Sequence, residues 1–518
     1  MKKAIPGILI GIVFAVLLYS SMTWGPWAYN DSSAYISAAR NFAGGYGNMI
    51  QHTTGKVKQL TEFPPFYPIF LSIFGGENGD YISIIRWLNA ILFSLTIFLF
   101  YAISHRISEN FITAMVSTLI FASFKYNIEI YAGAMSETLF FLLLFAAFLL
   151  IIKYLKNDHR KQNIIFLTLI SALLPVTRYA GILFVGVIWA TILFIDQKIP
   201  FRKRLPFAMG YLIFAYLPIG LWALSLLSKY SKFAGKSFFF HLSFVKSFFT
   251  SFANALHVAT QWIPYVSEYP EGWISIFLKI FCAISLTTIF IFPFILVINK
   301  RGTKGEFKLA FYLSTNISLI GYLALIAFMH STSSPPIDII DRTILPLFPL
   351  ILFSATSFIS LLKRNRKRHV LSIILLFIAA IILRYNFMVD RPYLRKLSSE
   401  GIGYTSKQFQ TSGLLEAIKN LEADRILISN LSGFVLFHTN RYPIFIENFP
   451  HYRYGDGTSY GEKEFREEDA ALIILHSEFR NYYGDFSNEL YRMATESLII
   501  EYEDDQGVIL SYNPSIQP

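Results

Sequence analysis

The chain has 518 residues, of which 54% are hydrophobic and only 15% are charged, and its mean hydropathy is +0.46. Soluble domains carry about 25% charged residues, so this composition predicts a membrane protein. The net charge of +11 falls mostly in short loops between apolar runs, which is typical of cytoplasmic loops and disfavours nucleic acid as a partner. The single cysteine, Cys282, excludes an intrachain disulfide.

Apolar runs recur along the chain, and each needs roughly 20 residues to cross about 30 Å of hydrocarbon. The first run resembles a signal peptide, but no clear cleavage site follows it, and Trp24-Gly25-Pro26-Trp27 is typical of an interfacial aromatic belt. We therefore interpret it as an uncleaved first span. About eleven spans are predicted, at 4–22, 82–104, 109–127, 136–154, 163–177, 180–196, 206–228, 273–299, 307–329, 343–362 and 369–386. The fifth and sixth are short, so a tight hairpin or a partly re-entrant pair is an alternative.

Lysine and arginine alternate between the two sides of this topology. The basic loops are Lys2-Lys3, His105-Arg106, Lys153 to Lys161, Lys198 with Arg202-Lys203-Arg204, Lys300-Arg301 with Lys304 and Lys308, and Lys363-Arg364 with Arg366-Lys367-Arg368. Because positive loops stay in the cytoplasm, we expect a multi-pass protein of the cell membrane with its N-terminus inside and its C-terminus outside.

The composition changes after the last predicted span. We predict a polytopic α-helical membrane domain over 1–386 and an extracytoplasmic soluble α/β domain over 387–518, because charged residues and turn formers rise and apolar runs shorten there. The predicted elements of the second domain are strands at Arg425–Ser429 and Ala470–Leu475, helices near 411–422 and 486–496, and a hairpin over Ser497–Tyr512 that turns at Asp504–Gly507.

The first outer loop, about 23–81, carries a conspicuous carboxylate. Asp31 begins a run in which apolar residues recur at helical spacing, which predicts a short helix on the membrane surface. One interpretation is structural, since aspartate is a favoured helix N-cap. The other is that Asp31 is a catalytic carboxylate, and the spacing alone does not choose between them.

Two further carboxylates lie on the same predicted side. Glu62 precedes a proline-rich segment that ends at Pro68, where it is either solvated or part of a site. Glu137 begins the fourth predicted span, where a carboxylate is costly unless it is paired or faces a cavity. An acidic residue at a helix N-terminus is also stabilised by the helix dipole, so a structural role for Glu137 is an equal alternative.

Arg178 and Arg342 lie on the outer side, where the positive-inside trend gives no reason for arginine. Guanidinium groups there are suited to bind a phosphate through paired donors. The alternative is a salt bridge, either between Arg342 and Asp341 or between Arg178 and a carboxylate. His330 is a candidate metal ligand, although a lone interfacial histidine more often has another role.

The chain resembles the C-type (GT-C) polytopic membrane glycosyltransferases, most closely the branch of the protein O-mannosyltransferases and the lipid A aminoarabinose transferase. The resemblance covers roughly residues 1–390 and is carried by short motifs whose order and membrane side agree. They are Asp31-Ser-Ser-Ala-Tyr35-Ile-Ser-Ala-Ala-Arg40-Asn, Glu62-Phe-Pro-Pro-Phe-Tyr67-Pro68, Ser136-Glu137-Thr-Leu-Phe, Thr177-Arg178-Tyr-Ala-Gly181 and Asp341-Arg342-Thr-Ile-Leu-Pro-Leu-Phe-Pro.

The resemblance implies an enzyme, a hexosyl- or pentosyltransferase that uses a polyprenyl-phosphate-linked sugar in the bilayer. It implies that Asp31 is the general base of an inverting transfer, that Glu62 and Glu137 line an acidic cavity, and that Arg178 and Arg342 bind the donor phosphate. Relatives sometimes hold a divalent metal ion in this cavity, so a metal cofactor is left open. The further candidates of the matched motifs and their surroundings are Tyr35, Arg40, Tyr67, His330 and Asp341.

The resemblance implies that the acceptor is a hydroxyl of a lipid, a glycan or a protein. The protein mannosyltransferases often have an Asp-Glu pair in the first loop where this chain has Asp31-Ser32, which disfavours a protein acceptor. A polytopic transporter or lipid-linked sugar flippase is the alternative function. Transporters usually show charges or broken helices at mid-bilayer and an internal repeat, whereas here the polar residues gather at the outer ends of the spans.

Overall fold

Most of the chain is folded into long apolar helices, and a small mixed sheet lies near its C-terminus. The computed structural model describes residues 4–53, 57–156, 161–195, 200–230, 234–264, 266, 276, 307–361, 366–445, 452–453, 459–460, 470–476 and 498–512.

The helices α1 to α9 are Ile5–Ser21, Asn30–Ala43, Phe66–Gly75, Tyr81–Ser108, Phe111–Ala122, Lys125–Tyr131, Glu137–Leu155, Lys161–Thr177 and Gly181–Ala190. The last continues as a π-helical turn over Thr191–Ile195. The helices α10 to α18 are Phe201–Tyr230, Phe244–Thr260, Phe307–Thr332, Asp341–Ile344, Leu347–Leu361, Arg366–Ser399, Lys407–Gln410, Gly413–Asn420 and Ser432–Thr439.

Within the described residues, five helices are long and apolar enough to cross a membrane. They are Tyr81–Ser108, Glu137–Leu155, Phe201–Lys229, Phe307–Thr332 and Asp341–Leu361. Several shorter apolar helices, α1 among them, accompany these. The chain is therefore a multi-pass membrane protein, and the count of about eleven spans remains a prediction. The predicted span 273–299 lies outside the described residues, apart from Ile276.

The predicted span 109–127 is observed as two helices, α5 and α6, with a 61° bend between them. The break lies at Phe124, whose backbone is extended. The side-chain Nδ2 of Asn127 donates to the carbonyl of Phe121 at 2.7 Å. The carbonyl of Phe121 also accepts a long backbone bond from the N–H of Phe124, at 3.4 Å, so the Asn127 side chain adds a shorter bond at the break. Such side-chain bonds are how a bent helix is tolerated in an apolar environment.

Aromatic side chains form the packing centre between α4, α5, α7 and α14. Phe100 stacks on Phe121 with ring centroids 4.4 Å apart and on Phe353 at 4.5 Å. All three rings are fully buried. Contacts of this kind fix the separation between α7, which begins at Glu137, and α14, which follows the short helix α13 that carries Arg342.

The strands β1 to β11 are Met49–Gln51, Val57–Gln59, Ser237–Phe238, Ser333–Ser334, Ile426–Ser429, Ile444–Phe445, Tyr452–Arg453, Ser459–Tyr460, Ala470–Leu475, Leu498–Asp504 and Gly507–Tyr512. Five of them form a sheet in the order β10-β11-β9-β5-β6. Strand β5 is parallel to β6 and β9, whereas β11 is antiparallel to β9 and β10. The predicted strands and hairpin are confirmed, and the helix predicted near 486–496 lies outside the described residues.

Helix α2 lies between α3 and the C-terminal helix α18. The predicted short helix is confirmed, and most of it is buried against its protein neighbours. Its position on the membrane surface stays a prediction. Ser33 Oγ donates to the carbonyl of Gly433 at 2.7 Å, and the Tyr404 hydroxyl donates to Asn30 Oδ1 at 2.5 Å. The C-terminal segment therefore packs directly on the helix that carries Asp31. It is reached through α15, within which the predicted domain boundary at residue 386 falls.

Candidate functional site

Asp31 is the second residue of α2, and the residue at the N-cap position is Tyr29. The interpretation of Asp31 as the helix cap is therefore wrong. The backbone N–H of Tyr29 donates to Ser32 Oγ at 3.3 Å, so a serine one position further along closes this end of the helix. The Asp31 carboxylate lies in the first turn, where the helix dipole stabilises negative charge, and its side chain is one-third exposed.

Two arginines and two carboxylates from distant parts of the chain meet in one set of ion pairs. Arg342 donates from Nη1 to Asp31 Oδ2 at 2.7 Å and from Nε to Glu137 Oε1 at 2.5 Å. Arg178 donates from Nη1 to Glu137 Oε2 at 2.6 Å. We call these four residues the ion-pair cluster. Their formal charges sum to zero, as a partly buried set of charges requires.

Glu137 is the centre of the ion-pair cluster and is only 1% exposed. It is the first residue of α7, and each of its carboxylate oxygens is paired with a different guanidinium. A carboxylate buried at the end of a membrane span is tolerated only with such partners. Both structural and functional interpretations of Glu137 fit this position, since it orients Arg178 and Arg342 together.

Hydrogen bonds extend the ion-pair cluster to Tyr35. Arg178 Nη1 also donates to Ser136 Oγ at 3.2 Å, and that hydroxyl lies 3.1 Å from the Tyr35 hydroxyl. Burial, together with the nearby carboxylates of Asp31 and Glu137, raises the pKa of the Tyr35 phenol far above its usual range. Tyr35 is therefore a neutral hydroxyl and not a proton acceptor at any ordinary pH.

The remaining charged candidates near Arg342 are paired elsewhere. Asp341 accepts a hydrogen bond from Trp262 Nε1 at 2.7 Å, so the predicted alternative of an Arg342–Asp341 salt bridge is wrong. The alternative of a salt bridge between Arg178 and a carboxylate is confirmed, with Glu137 as its partner. His330 Nδ1 lies 2.6 Å from the carbonyl of Ile337, which fixes the ring as part of the backbone turn.

Three other candidates stand apart from the ion pairs. Glu62 is exposed, and its Oε2 accepts from the backbone N–H of Thr61 at 3.1 Å. Tyr67 is buried, with its ring edge-on to Tyr35 at 5.0 Å, so it supports the wall behind the cluster. Arg40 donates to the carbonyl of Phe437 at 3.3 Å and therefore ties α2 to α18.

A cavity of about 420 Å³ opens beside Asp31 and Arg342. Its other lining residues include Trp27, Tyr29, Asn30, Glu129 and Tyr393. The sequence does not predict this cavity, because Trp27 fits an interfacial aromatic belt and no sequence pattern marks Tyr393. The recurrence of aromatic residues at positions 27 and 29, immediately before Asp31, is the signal that points to it.

The described residues do not fit a divalent metal ion. Among them, no group of three or more His, Cys, Asp or Glu side chains is close enough to hold one. Both oxygens of Glu137 are bonded to guanidinium groups, and Asp31 has one oxygen bonded to Arg342. The guanidinium groups of Arg178 and Arg342 therefore already neutralise the Asp31 and Glu137 carboxylates, as a bound cation would.

The comparisons with known proteins agree with this architecture. Residues 7–230 match the family model described as dolichyl-phosphate-mannose-protein mannosyltransferase. Among solved structures, ArnT from Cupriavidus metallidurans bound to undecaprenyl phosphate matches with a TM-score of 0.60 at 12% identity, covering 98% of each chain. The Archaeoglobus fulgidus oligosaccharyltransferase in its apo form matches with a TM-score of 0.53 at 11% identity, covering 99% of this chain and 74% of that one.

The same archaeal enzyme, AglB, in complex with an inhibitory peptide and a dolichol-phosphate, matches with a TM-score of 0.50 at 12% identity, over 99% of this chain and 75% of that one. No curated protein sequence matches the chain. The predicted resemblance is confirmed: this chain has the fold of the C-type membrane glycosyltransferases, and the proteins it resembles in family and fold transfer sugars.

Proposed function

We propose that this protein transfers a sugar from a polyprenyl-phosphate-linked donor to an acceptor hydroxyl, with inversion at the anomeric carbon and Asp31 as the general base. The observation that carries the proposal is the ion-pair cluster at the edge of a cavity. It places one partly exposed carboxylate beside two arginines at the end of membrane helices. Acceptor deprotonation and phosphate release need these two kinds of group.

Asp31 is suited to remove the acceptor proton. Within the described residues its hydrogen bonds are made through Oδ2, so Oδ1 is the oxygen available to a substrate. Arg342 fixes the carboxylate in one orientation, and a fixed base close to the attacking oxygen lowers the entropic part of the barrier. Glu137 has no oxygen left over for this role, since both are bonded to arginine.

The two arginines are suited to receive the leaving phosphate. In the described contacts Arg342 uses Nε and Nη1, and Arg178 uses Nη1 alone, so the Nη2 groups of both remain as donors. A lipid phosphate bonded there keeps its charge close to two guanidinium groups. This arrangement stabilises the negative charge that grows on the leaving group in the transition state.

Atoms and charges of the proposed transfer balance with the donor, the acceptor and these side chains. The acceptor oxygen attacks the anomeric carbon as its proton passes to Asp31 Oδ1. The bond between the anomeric carbon and the phosphate oxygen breaks, and its electron pair leaves with the polyprenyl phosphate. A single displacement of this kind inverts the configuration at the anomeric carbon.

We place this site at the outer face of the cell membrane. The six basic loops support that orientation, because they leave the loop containing Asp31 on the opposite side from the cytoplasm. Soluble nucleotide sugars are scarce outside the cell, so a donor already in the membrane is the consistent choice. The segment 387–518 would then be an extracytoplasmic domain that covers the first loop.

The test is sugar transfer by reconstituted protein offered a panel of polyprenyl-phosphate-linked hexoses and pentoses. Asp31→Asn keeps the shape of the side chain and removes the base, and we expect turnover to fall by about 10²–10⁴-fold. Asp80→Asn is the matched control, because Asp80 is a first-loop carboxylate that caps α4 and asparagine caps equally well. Asp80→Asn should retain wild-type turnover.

Full activity in a correctly folded Asp31→Asn protein refutes the assignment of the base. If the protein moves a lipid-linked sugar across the liposome membrane but transfers sugar from none of the donors, the transferase function is refuted and the flippase alternative is supported. Retention of configuration in the product refutes the single displacement.

A further inference from the structure

We propose that the cavity beside Asp31 binds a sugar ring of the acceptor, so that the hydroxyl attacked in the transfer belongs to a glycan or glycolipid and not to a peptide. This inference rests on the proposed transferase function and adds the class of its acceptor. Three features of the cavity carry it: an aromatic wall, a set of polar groups around that wall, and a backbone that is already paired.

The aromatic wall is formed by Trp27 and Tyr29, whose ring centroids lie 5.6 Å apart. The Trp27 indole is held in place because its Nε1 donates to the carbonyl of Glu129 at 2.6 Å and its ring lies over Gly133, where a Cβ would come within 2.2 Å. Tyr29 is 49% exposed, so its ring surface is accessible to a ligand. A pyranose has an apolar C–H face that packs against such rings.

Polar groups complete the ring-binding surface. Asn30 uses its Oδ1 to accept from Tyr404, so among the described contacts its amide N–H groups remain as donors. Burial, with smaller contributions from Glu129 and Tyr29, raises the pKa of the Tyr393 phenol, which keeps it a hydrogen-bond donor. Glu129 also lines the cavity, and its carboxylate, whose Oε1 lies 3.5 Å from Lys125 Nζ, adds an acceptor. Donors and acceptors around an aromatic wall match the hydroxyl groups of a sugar.

The extended backbone beside the cavity, at Trp27 and Ala28, is already used in hydrogen bonds within the protein. Peptide acceptors are commonly bound as an added strand, through free backbone N–H and C=O groups. Here the N–H of Trp27 donates to Ala132 at 2.9 Å, and the carbonyl of Ala28 accepts from Tyr404 at 2.9 Å. The carbonyl of Trp27 is also used, by the N–H of Ala134 at 3.0 Å. A ligand would therefore contact mainly side chains. The cavity that they line has a volume of about 420 Å³, within the range of roughly 300–1,000 Å³ typical of small-molecule sites.

The position of the cavity relative to the ion-pair cluster separates acceptor from donor. Asp31 and Arg342 line the cavity, whereas Arg178 and Glu137 do not. A ring in the cavity would therefore contact Asp31 and Arg342 but not Arg178, which the proposed function assigns to the donor phosphate. Inversion requires the attacking oxygen and the leaving phosphate to lie on opposite faces of the anomeric carbon.

The experiment measures transfer to a panel of methyl pyranosides, a glycolipid and a hydroxyl-rich peptide, with the donor that wild-type protein uses. We expect transfer to the sugar acceptors. Tyr29→Ala should raise the KM for the sugar acceptor about tenfold, a loss of about 1.4 kcal/mol of binding, while the KM for the donor stays unchanged. Tyr29→Phe keeps the ring and should restore the acceptor KM.

The matched control is Tyr46→Ala, because Tyr46 is an equally large ring of the first loop that is 64% exposed and does not line the cavity. It should leave both KM values as in wild type. Transfer by wild type with an unchanged acceptor KM in Tyr29→Ala refutes the subsite and leaves the transferase intact. Transfer to the peptide but to none of the sugars refutes the acceptor class. No transfer from any donor refutes the proposed function itself.

Discussion

Replacing Glu137 with glutamine is a sharp test of the ion-pair cluster, because one buried carboxylate there holds two arginines. The change preserves the volume of the side chain and removes one negative charge. Arg178 then loses its carboxylate partner, and Arg342 keeps only Asp31. The amide also places an N–H2 group opposite one of the two guanidinium groups, so a donor faces a donor.

The expected cost follows from the burial of each group. Removing one partner of a buried ion pair costs about 3–5 kcal/mol of the free energy of unfolding. The side chains of Arg178 and Arg342 are 20% and 27% exposed, so water partly compensates for the lost carboxylate. We therefore expect the lower end of that range, about 3 kcal/mol. The reorientation of Arg342 should also reduce transfer activity, because Asp31 loses its defined position.

The measurement is thermal and chemical unfolding of the purified protein in detergent, compared with the control Glu109→Gln. Glu109 is also paired with a cation, Lys308 at 2.9 Å, but its side chain is 60% exposed. An exposed pair contributes about 0–1 kcal/mol, so this control should unfold close to wild type. If Glu137→Gln unfolds like Glu109→Gln and keeps full activity, the buried cluster has no energetic role and the reasoning is wrong.

Two further predictions concern the contact between α2 and the C-terminal segment. Gly433→Ala should lower transfer activity about tenfold or more. The new Cβ would come within 2.1 Å of Asn30 Oδ1 and displace the start of α2. The control is Gly210→Ala, which should keep wild-type activity because nothing lies within 4 Å of the added Cβ. Burial lowers the pKa of His438 to about 4. Between about pH 6.5 and pH 4 the folded state therefore binds fewer protons than the unfolded state. The free energy of unfolding should fall by about 3 kcal/mol as the pH drops through this range. In denaturant titrations at several pH values, His438→Gln should remove this pH dependence. If the free energy of unfolding of the variant still falls with pH as in wild type, His438 is not its source.

The charged members of the site could be predicted because of where they lie in the sequence. Glu137, Arg178 and Arg342 occur at ends of apolar runs, where a charge is costly without a partner, and Asp31 lies in the loop that follows the first run. The predicted topology puts them on one side of the membrane, which is an expectation. Their convergence in one set of ion pairs is seen only in the structure, and their roles in catalysis remain a proposal.

The partners within the site could not be predicted. Arg342 is adjacent to Asp341 in sequence but bonds to Asp31 and Glu137, because the start of α13 turns the two side chains apart and Trp262 occupies Asp341. Local spacing is a poor guide to such pairing, since the partners are brought together by helix packing over hundreds of residues.

The break between α5 and α6 and the wall of the cavity were missed for a related reason. A hydropathy pattern does not reveal that Asn127 bonds back to Phe121 and stabilises a bend. Similarly, Tyr393 reaches the cavity from α15, far along the chain from Trp27. Both features depend on tertiary contacts that override local propensity.

The bonds that join Ser33 to Gly433 and Asn30 to Tyr404 have a consequence for how this architecture can diverge. The helix that carries Asp31 packs against the membrane part on one face and against the C-terminal segment on another, so both parts hold it in place. A chimera that exchanges the C-terminal segment alone between relatives would therefore misplace the carboxylate, and only an exchange that includes the first loop would preserve it. The position of Asp31 therefore depends on both parts together, although they look separable in sequence.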